Sequence, residues 1–464
     1  VPLLTKTLGA LNYGIWAQVY VTISLIAPFT NLGLGGAMVR FLAAEKSREE
    51  IQEGFYSVIS VLFMINLIAA LIIIALAYPL ANNFFDGAVQ IVRITSILVL
   101  LTPISTTYLL LIRTFQQIKR YSVFIIAEDS GRLALIAYLV LNGHGILSVV
   151  LSVVAVKFIL LLVLFFLIKS QIGIKRPRFS RLKEYLSFGL PLVPRGIAFW
   201  LVNLSDRYVI GFFLGATSVG IYSAATGLGS LPYSVMAVLT FVLLATLPYL
   251  YDKGRRSEVA AHLTYSLKYF LAITIPFIFG ATILAEPVLR MFTTPQIASQ
   301  GHFIVPLIAL AVSFLSIHNI ISHILMFTKK TKVMAPIWLV AAGLNIGLNI
   351  LVVPRIGILG AAITTLIAYS LALALVTYYS LKEFKFRIDW RFIIKSLVAS
   401  AVMSVVVWLM APQGNLDTLL TVVIGVIIYG VVLLLLRGFS KEEMRFFRGL
   451  LRRSPTPPYS NNGE

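Results

Sequence analysis

The sequence predicts an all-α integral membrane protein: two six-helix lobes in the same orientation, followed by two accessory helices. Three observations predict it. Of the 464 residues, 59% are hydrophobic and only 12% are charged, about half the charged fraction of a soluble domain. Apolar runs long enough to cross a bilayer recur along the whole chain. And one pattern is written twice. Leu8-Gly9-Ala10, three residues, then Gly14-Ile15-Trp16 returns 206 residues later as Leu214-Gly215-Ala216, three residues, then Gly220-Ile221-Tyr222. A repeat of that kind means two copies of one architectural unit. Apolar stretches flank both copies, so each reads as a tight turn between two hydrophobic helices, with glycine supplying backbone angles that other residues resist.

Taken in order, the expected spans are roughly 15–38, 55–80, 89–112, 122–142, 146–168, 186–213, 218–248, 262–285, 302–327, 333–353, 357–381, 393–411 and 418–437, about thirteen in all. The later copy of the repeat follows a full apolar span, whereas only Val1 to Thr7 precede the earlier one. The expectation is therefore fourteen spans, with most of the first, about twenty residues, missing. The lobes are expected at 1–168 and 186–381, joined by a basic linker at 169–185, with the accessory pair at 382–437.

The connections alternate in charge. Arg40/Lys46/Arg48, Arg113/Lys119/Arg120, Lys169 to Lys183, Lys253/Arg255/Arg256, Lys329/Lys330/Lys332, Lys382 to Lys395 and Arg437 to Arg453 form one set. The opposite set holds Lys6, Arg93, Arg290 and Arg355. The positive-inside rule puts the basic set and the C-terminus in the cytoplasm of a multi-pass protein of the cytoplasmic membrane. It also accounts for the net charge of +20 without a nucleic-acid partner. After the last span, Ser440 and Glu443 make a capping box. Met444, Phe447 and Leu451 then share a face beside Arg445, Arg448 and Arg452, which reads as an amphipathic helix on the anionic membrane surface. The tail from Ser454 is expected to be disordered.

A charge at mid-bilayer costs about 2.5–3.5 kcal/mol on insertion scales, so charges inside spans should face a wet or protein-lined interior. Arg132, Lys157, Arg195, Arg207 and Lys268 fall within spans, against Glu128, Asp129 and Asp206. This cationic balance favours an anionic cargo, phosphate in particular. Glu128 and Arg132 are four apart on one face, and Asp129 is the alternative partner. Lys157 has no acid in its own helix. Arg195 and Asp206 share a face about 16 Å apart along the helix, after Pro191 and Pro194, which should kink it. Asn345 and Asn349 are placed either to hold a polar head group or to join helices. These side chains are the candidate substrate-binding set, with Glu128, Asp129 and Asp206 as candidates for ion coupling or gating. His318 and His323 are five apart and off a common face, so no metal site is expected there.

The chain has no cysteine, hence no disulfide, thiolate metal site or cysteine nucleophile. It has no G-x-x-x-x-G-K-[ST], H-E-x-x-H or G-x-S-x-G pattern. No enzyme and no cofactor are expected.

Leu8 to Trp16; Asn31-Leu32-Gly33-Leu34; Ser205-Asp206-Arg207 running into Leu214 to Tyr222; Ala285-Glu286-Pro287-Val288-Leu289; and Leu344-Asn345 through Pro354-Arg355-Ile356-Gly357-Ile358-Leu359-Gly360-Ala361-Ala362 together resemble the polysaccharide transporter family of the multidrug/oligosaccharidyl-lipid/polysaccharide flippase superfamily. The resemblance implies two six-helix lobes around a central cavity plus two accessory helices. It also implies a flippase that carries a polyprenyl-pyrophosphate-linked glycan between leaflets by alternating access, alongside membrane lipids and glycosyltransferases or a polymerase of the same pathway. A lipid II-type precursor flippase, a cation-coupled multidrug antiporter and a non-transporting scaffold for glycan assembly are the competing readings.

Overall fold

The computed structural model describes residues 1–43, 45, 47–440 and 443–445, with the side chains of Leu192 and Arg195 outside the description. The expected amphipathic positions Phe447, Arg448, Leu451 and Arg452 and the tail from Ser454 also lie outside the described residues. The chain forms α1 (Pro2–Asn31), α2 (Leu34–Leu42), α3 (Arg48–Ala75), α4 (Ala77–Phe84), α5 (Val89–Thr114), α6 (Ile118–Leu141), α7 (Ile146–Ile172) and α8 (Leu182–Gly189). It continues through α9 (Val193–Gly229), α10 (Pro232–Asp252), α11 (Arg256–Phe292), α12 (Pro295–Gly301), α13 (Ile304–Phe327), α14 (Met334–Ile356), α15 (Ile358–Glu383), α16 (Trp390–Met410) and α17 (Asn415–Leu435).

Twelve of these helices are long and apolar enough to cross a membrane, which makes this a multi-pass membrane protein. The shortest have 21 residues, about 31 Å, the thickness of the hydrocarbon core. The twelve do not include α6. It has 24 residues but carries Lys119, Arg120, Glu128, Asp129 and Arg132. Length alone gives it a span; the charges need partners inside the protein.

The repeated pattern is a chain reversal. Gly9 (φ 78°, ψ 179°) and Gly215 (φ 80°, ψ 173°) leave the helix in the same way, in a left-handed region that disfavours a side chain. Tyr222 hydrogen-bonds Asp206, sixteen residues earlier. A straight helix would hold them about 24 Å apart, so α9 doubles back at Gly215. The arm before Gly215 starts at Val193, seven residues later than the expected 186, because 182–189 fold as the separate α8 and Leu190–Leu192 tighten into a 3₁₀ turn. Pro191 lies inside that turn and Pro194 stands in the first turn of α9, where a missing amide donor is tolerated. The expected span 218–248 is the second arm of α9 continued by α10.

Beyond each reversal the elements follow in the same order. α3 packs on α5, α5 on α7 and α6 on α7; likewise α11 packs on α13, α13 on α15 and α14 on α15. The apolar cores are mostly internal to one half. Among those that draw on both, one joins Tyr13, Trp16 and Val19 to Ala216, Ile221 and Ile297, and another packs Ala17 against the cluster of Ile210, Val219 and Tyr222. Along this contact α1 lies against α9.

The basic connection between the halves is fastened to the first of them. Tyr56 donates to the Gly173 carbonyl at 2.7 Å, Arg48 to the Ile172 carbonyl at 3.1 Å, and Lys175 meets Glu49 at 3.0 Å. The Ser180 amide donates to Glu53 at 3.1 Å, and Arg181 reaches Glu50 at 3.3 Å. Glu49, Glu50 and Glu53 crowd the start of α3, where carboxylates complement the helix dipole, and a basic segment is their natural cover. Free chain between the halves is thereby reduced to the few residues around the 3₁₀ turn. The accessory pair α16–α17 lies along α11, held by Tyr429 donating to the Ala272 carbonyl at 2.8 Å and sharing a hydrogen bond with Ser396 at 2.9 Å.

Candidate functional site

The charges inside the first half gather where α1, α6 and α7 meet. Lys157 on α7 pairs with Glu128 on α6, and their side chains are 15% and 11% exposed. Arg132 pairs with Asp129 at 2.8 Å and donates to the Tyr20 hydroxyl on α1. Of the two acids available to Arg132, the one three residues back takes it. Glu128 is left for Lys157, whose missing partner comes from the neighbouring helix. Arg132 is the more open of the two cations, at 26%.

In the second half Asp206 is 2% exposed. Its Oδ1 accepts from Arg207 Nη1 at 3.0 Å and from the Arg207 amide at 3.1 Å, and its Oδ2 accepts from Tyr222. The Arg207 guanidinium also donates to the Asn203 carbonyl at 3.1 Å, and Tyr369 donates to Asn203 Oδ1 at 2.7 Å. Asn349 donates to Asn345 Oδ1 at 3.1 Å, and Thr364 donates to Asn349 Oδ1 at 2.7 Å. Asn345 and Asn349 are fully buried, and Asn345 Nδ2 has no partner. Of the two uses open to these amides, the contacts are those of a polar column joining α14 to α15.

The two groups meet through α1. Gln18 Nε2 donates to the Arg207 carbonyl at 3.0 Å, and Thr22 shares a hydrogen bond with Tyr208 at 2.7 Å. The Arg195 side chain, expected on the same face as Asp206, lies outside the described residues. Lys268 stands apart from the others. It is 7% exposed and contacts Glu443 at 2.9 Å and Asp389 at 3.5 Å, close to the rings of Phe392 and Phe439.

Each of the four cations with a described side chain therefore has a carboxylate. Glu443 and Asp389, which come from outside the spans, offset the cationic surplus counted within them, bringing the acids to five against five cations. Residues 1–252, more than half of the chain, match the family model described as polysaccharide biosynthesis protein. The chain belongs to the polysaccharide biosynthesis protein family. Residues 191–351 also match the MatE model. The chain is 20% identical over 292 residues to the probable low-salt glycan biosynthesis flippase Agl15 of Haloferax volcanii, covering 62% of this chain and 61% of that protein. It is 27% identical over 309 residues to the succinoglycan biosynthesis transport protein ExoT of Rhizobium meliloti, covering 64% and 58%. The chain thus spans about three-fifths of the length of these curated relatives. Among solved structures, a lipid II flippase MurJ in an inward closed conformation superposes with a TM-score of 0.74 at 22% identity, covering 97% of this chain and 96% of that one. An inward-facing multidrug resistance MATE transporter gives 0.62 at 14%, covering 80% and 93%. The fold expected from the repeat is the fold of these proteins.

For this family member, sequence reasoning missed the uncharged partners. The hydroxyls of Tyr20, Tyr222 and Tyr369 and the amide of Asn203 complete the two polar groups, yet none carries a charge to flag it. One signal was present: Tyr222 closes the second copy of the repeat, in the place of Trp16. Glu443 was legible only as a cap. The capping box forms in both directions, with the Ser440 amide donating to Glu443 at 2.7 Å and the Glu443 amide donating to Ser440 Oγ at 3.1 Å. The same carboxylate takes Lys268. Burial alone would raise its pKa, but the bonds from the Ser440 amide, Lys268 and Tyr269 outweigh burial and hold it below the ordinary 4.5. A folded-state pKa below the unfolded one contributes stability that is present above the unfolded value and lost as pH falls through the folded value. This link is therefore intact at neutral pH and released only below the ordinary glutamate range. Glu443→Gln should release it at pH 7, at a loss of about 1.5–3 kcal/mol for hydrogen bonds to a charged group. The expected readout is faster tryptic cleavage after Arg445.

Proposed function

We propose that this protein is a flippase that moves a lipid-pyrophosphate-linked oligosaccharide across the cytoplasmic membrane for surface glycan biosynthesis, by alternating access of its two halves. The observation that carries the reading is the paired polar groups on facing elements, α1/α6/α7 and α9/α14/α15, inside a member of the polysaccharide biosynthesis protein family. Arg132 is the leading contact for pyrophosphate. Its guanidinium is partly open, and a planar fork suits phosphate oxygens. Lys157 stands beside it with Glu128. Arg207, Asn345 and Asn349 brace the opposite helices, and Lys268 serves the C-terminal segment. Asp206, Glu128 and Asp129 are the acids available for coupling to an ion gradient or to the membrane potential, worth about 2.3 kcal/mol per charge per 100 mV. The basic connections and the C-terminus face the cytoplasm. The cargo crosses with no bond made or broken, so the protein is a transporter and not a catalyst. Glycosyltransferases supply the cargo and a polymerase or ligase consumes it.

The match to MatE favours a second reading, a cation-coupled multidrug antiporter. Against it, Glu128, Asp129 and Asp206 each already hold a cationic side chain. Reconstitution decides. Purified protein in liposomes should speed the appearance of a polyprenyl-pyrophosphate-linked oligosaccharide in the opposite leaflet at least tenfold over protein-free liposomes. A lipid II-type precursor and a cationic dye run in parallel. Transport of the dye alone, or of nothing, would refute the reading.

A further inference from the structure

Two close glycine contacts bracket the seam between α1 and α9, one within it and one just beyond its other end, where the α1–α2 junction meets the end of α8. At the Gly9–Gly215 end, a Cβ on Gly14 would lie 2.7 Å from the Ala216 carbonyl carbon and 2.9 Å from the Gly220 nitrogen. A Cβ on Gly220 would lie 2.9 Å from the Gly14 nitrogen and 3.0 Å from the Ala10 carbonyl carbon. Both clashes are with backbone, which cannot swing aside. Gly14 and Gly220 hold the same place in the two copies of the repeat, as do Ala10 and Ala216. The crossing is thus reciprocal: a small-x-x-x-small motif on each helix faces its own copy, the arrangement that lets membrane helices touch backbone to backbone. Nineteen residues further along the chain, at the Gly33 junction between α1 and α2 and the end of α8, a contact of the same kind recurs. A Cβ on Gly33 would lie 2.6 Å from Gly189 Cα, and one on Gly189 2.9 Å from the Gly33 carbonyl carbon. Between the two crossings run the Gln18–Arg207 and Thr22–Tyr208 hydrogen bonds.

We propose that these crossings are the two alternating seals of the transport cycle, one at each membrane face. This rests on the alternating-access reading above. Ala10/Gly14 on Ala216/Gly220 shuts the Gly9–Gly215 end, and Gly33 on Gly189 shuts the opposite end. In each half-cycle one seal parts while the other holds. Contact at this range leaves no room for water or for a sugar. It is made of weak backbone contacts, so it parts without stranding a charge. A methyl group at Gly14, Gly220 or Gly189 is excluded only when its own seal is shut. When that seal is open the methyl projects into free space. Each substitution therefore penalises one state and leaves the other untouched, which shifts populations.

The chain has no cysteine, so spin labels can be placed without background. Cysteines at the exposed Asn83 and Gln296 report the Gly9–Gly215 end, and at the exposed Lys119 and Lys332 the other end. Gly14→Ala and Gly220→Ala should lengthen the Asn83–Gln296 distance and not the Lys119–Lys332 distance. Gly189→Ala, at a position with ordinary helical angles, should do the reverse. Gly227→Ala is the control, since a Cβ there meets nothing within 4 Å. Transport should fall at least tenfold in the three seal variants and stay normal in the control. Unchanged distances in folded Gly220→Ala protein, or both distances lengthening together, would overturn the proposal. Labelled protein with intact glycines gives a reading that does not depend on variant folding: its two distances must show long and short populations that vary inversely. Distances that shift as stated without any glycolipid movement would leave the seals standing and overturn the cargo instead.

Discussion

Lys157→Ala should lower transport at least a hundredfold and destabilise the protein by about 3 kcal/mol. The loss comes less from the missing ammonium than from what it leaves behind. Glu128, its partner, is 11% exposed, and breaking one side of a buried ion pair leaves a charge that neither water nor protein compensates, at a cost of about 3–5 kcal/mol. The low end applies because both side chains keep some exposure. Thermal unfolding in detergent and flipping in liposomes, measured on the same preparations, check both numbers. A double-mutant cycle then separates structure from cargo handling. Glu128→Gln with Lys157→Gln removes both charges together, so stability should recover most of the loss. Transport should not recover if the pair touches pyrophosphate. Full transport by that double variant would show that the pair only holds α6 to α7.

Asp206→Ala should be the most destabilising substitution in the second half, by about 3–5 kcal/mol. It strands two donors at once. Arg207 keeps only the Asn203 carbonyl, and the Tyr222 hydroxyl loses its acceptor. Both sit next to the reversal at Gly215, so the arms of α9 should lose their alignment. Arg207→Ala should cost less, because Asp206 would retain Tyr222. The order Asp206→Ala worse than Arg207→Ala, read by thermal unfolding, is the check. The reverse order would mean that the arginine and not the carboxylate organises the group.

Much of this architecture is legible from the chain alone, for identifiable reasons. The reversals at Gly9 and Gly215 depend on backbone angles that few residues besides glycine tolerate, so residue identity exposes them. The spans follow from hydropathy, which the bilayer enforces residue by residue. Even the charged α6 is recoverable, from the length of its apolar pattern. Partner choice is not legible in the same way. Lys268 and Glu443 are separated by 175 positions, and only the packing of α16–α17 along α11 brings them together. Asp129 and Glu128 are adjacent, so which of them takes Arg132 depends on where α7 places Lys157. The start of α9 is a third case. Pro191 and Pro194 foretell a bend, but the separate α8 reflects how Arg181 and its neighbours are anchored on α3.

The ion pairs described here each fall on one side of the α1–α9 seam, or bind a lobe to its own linker or C-terminal segment. Among the described side chains, what crosses the seam is glycine backbone, two uncharged hydrogen bonds and apolar side chains. A rocking motion along that line severs no Coulombic bond and desolvates no partnered charge. Under the proposed cycle, such a motion should therefore be electrically inexpensive and insensitive to ionic strength.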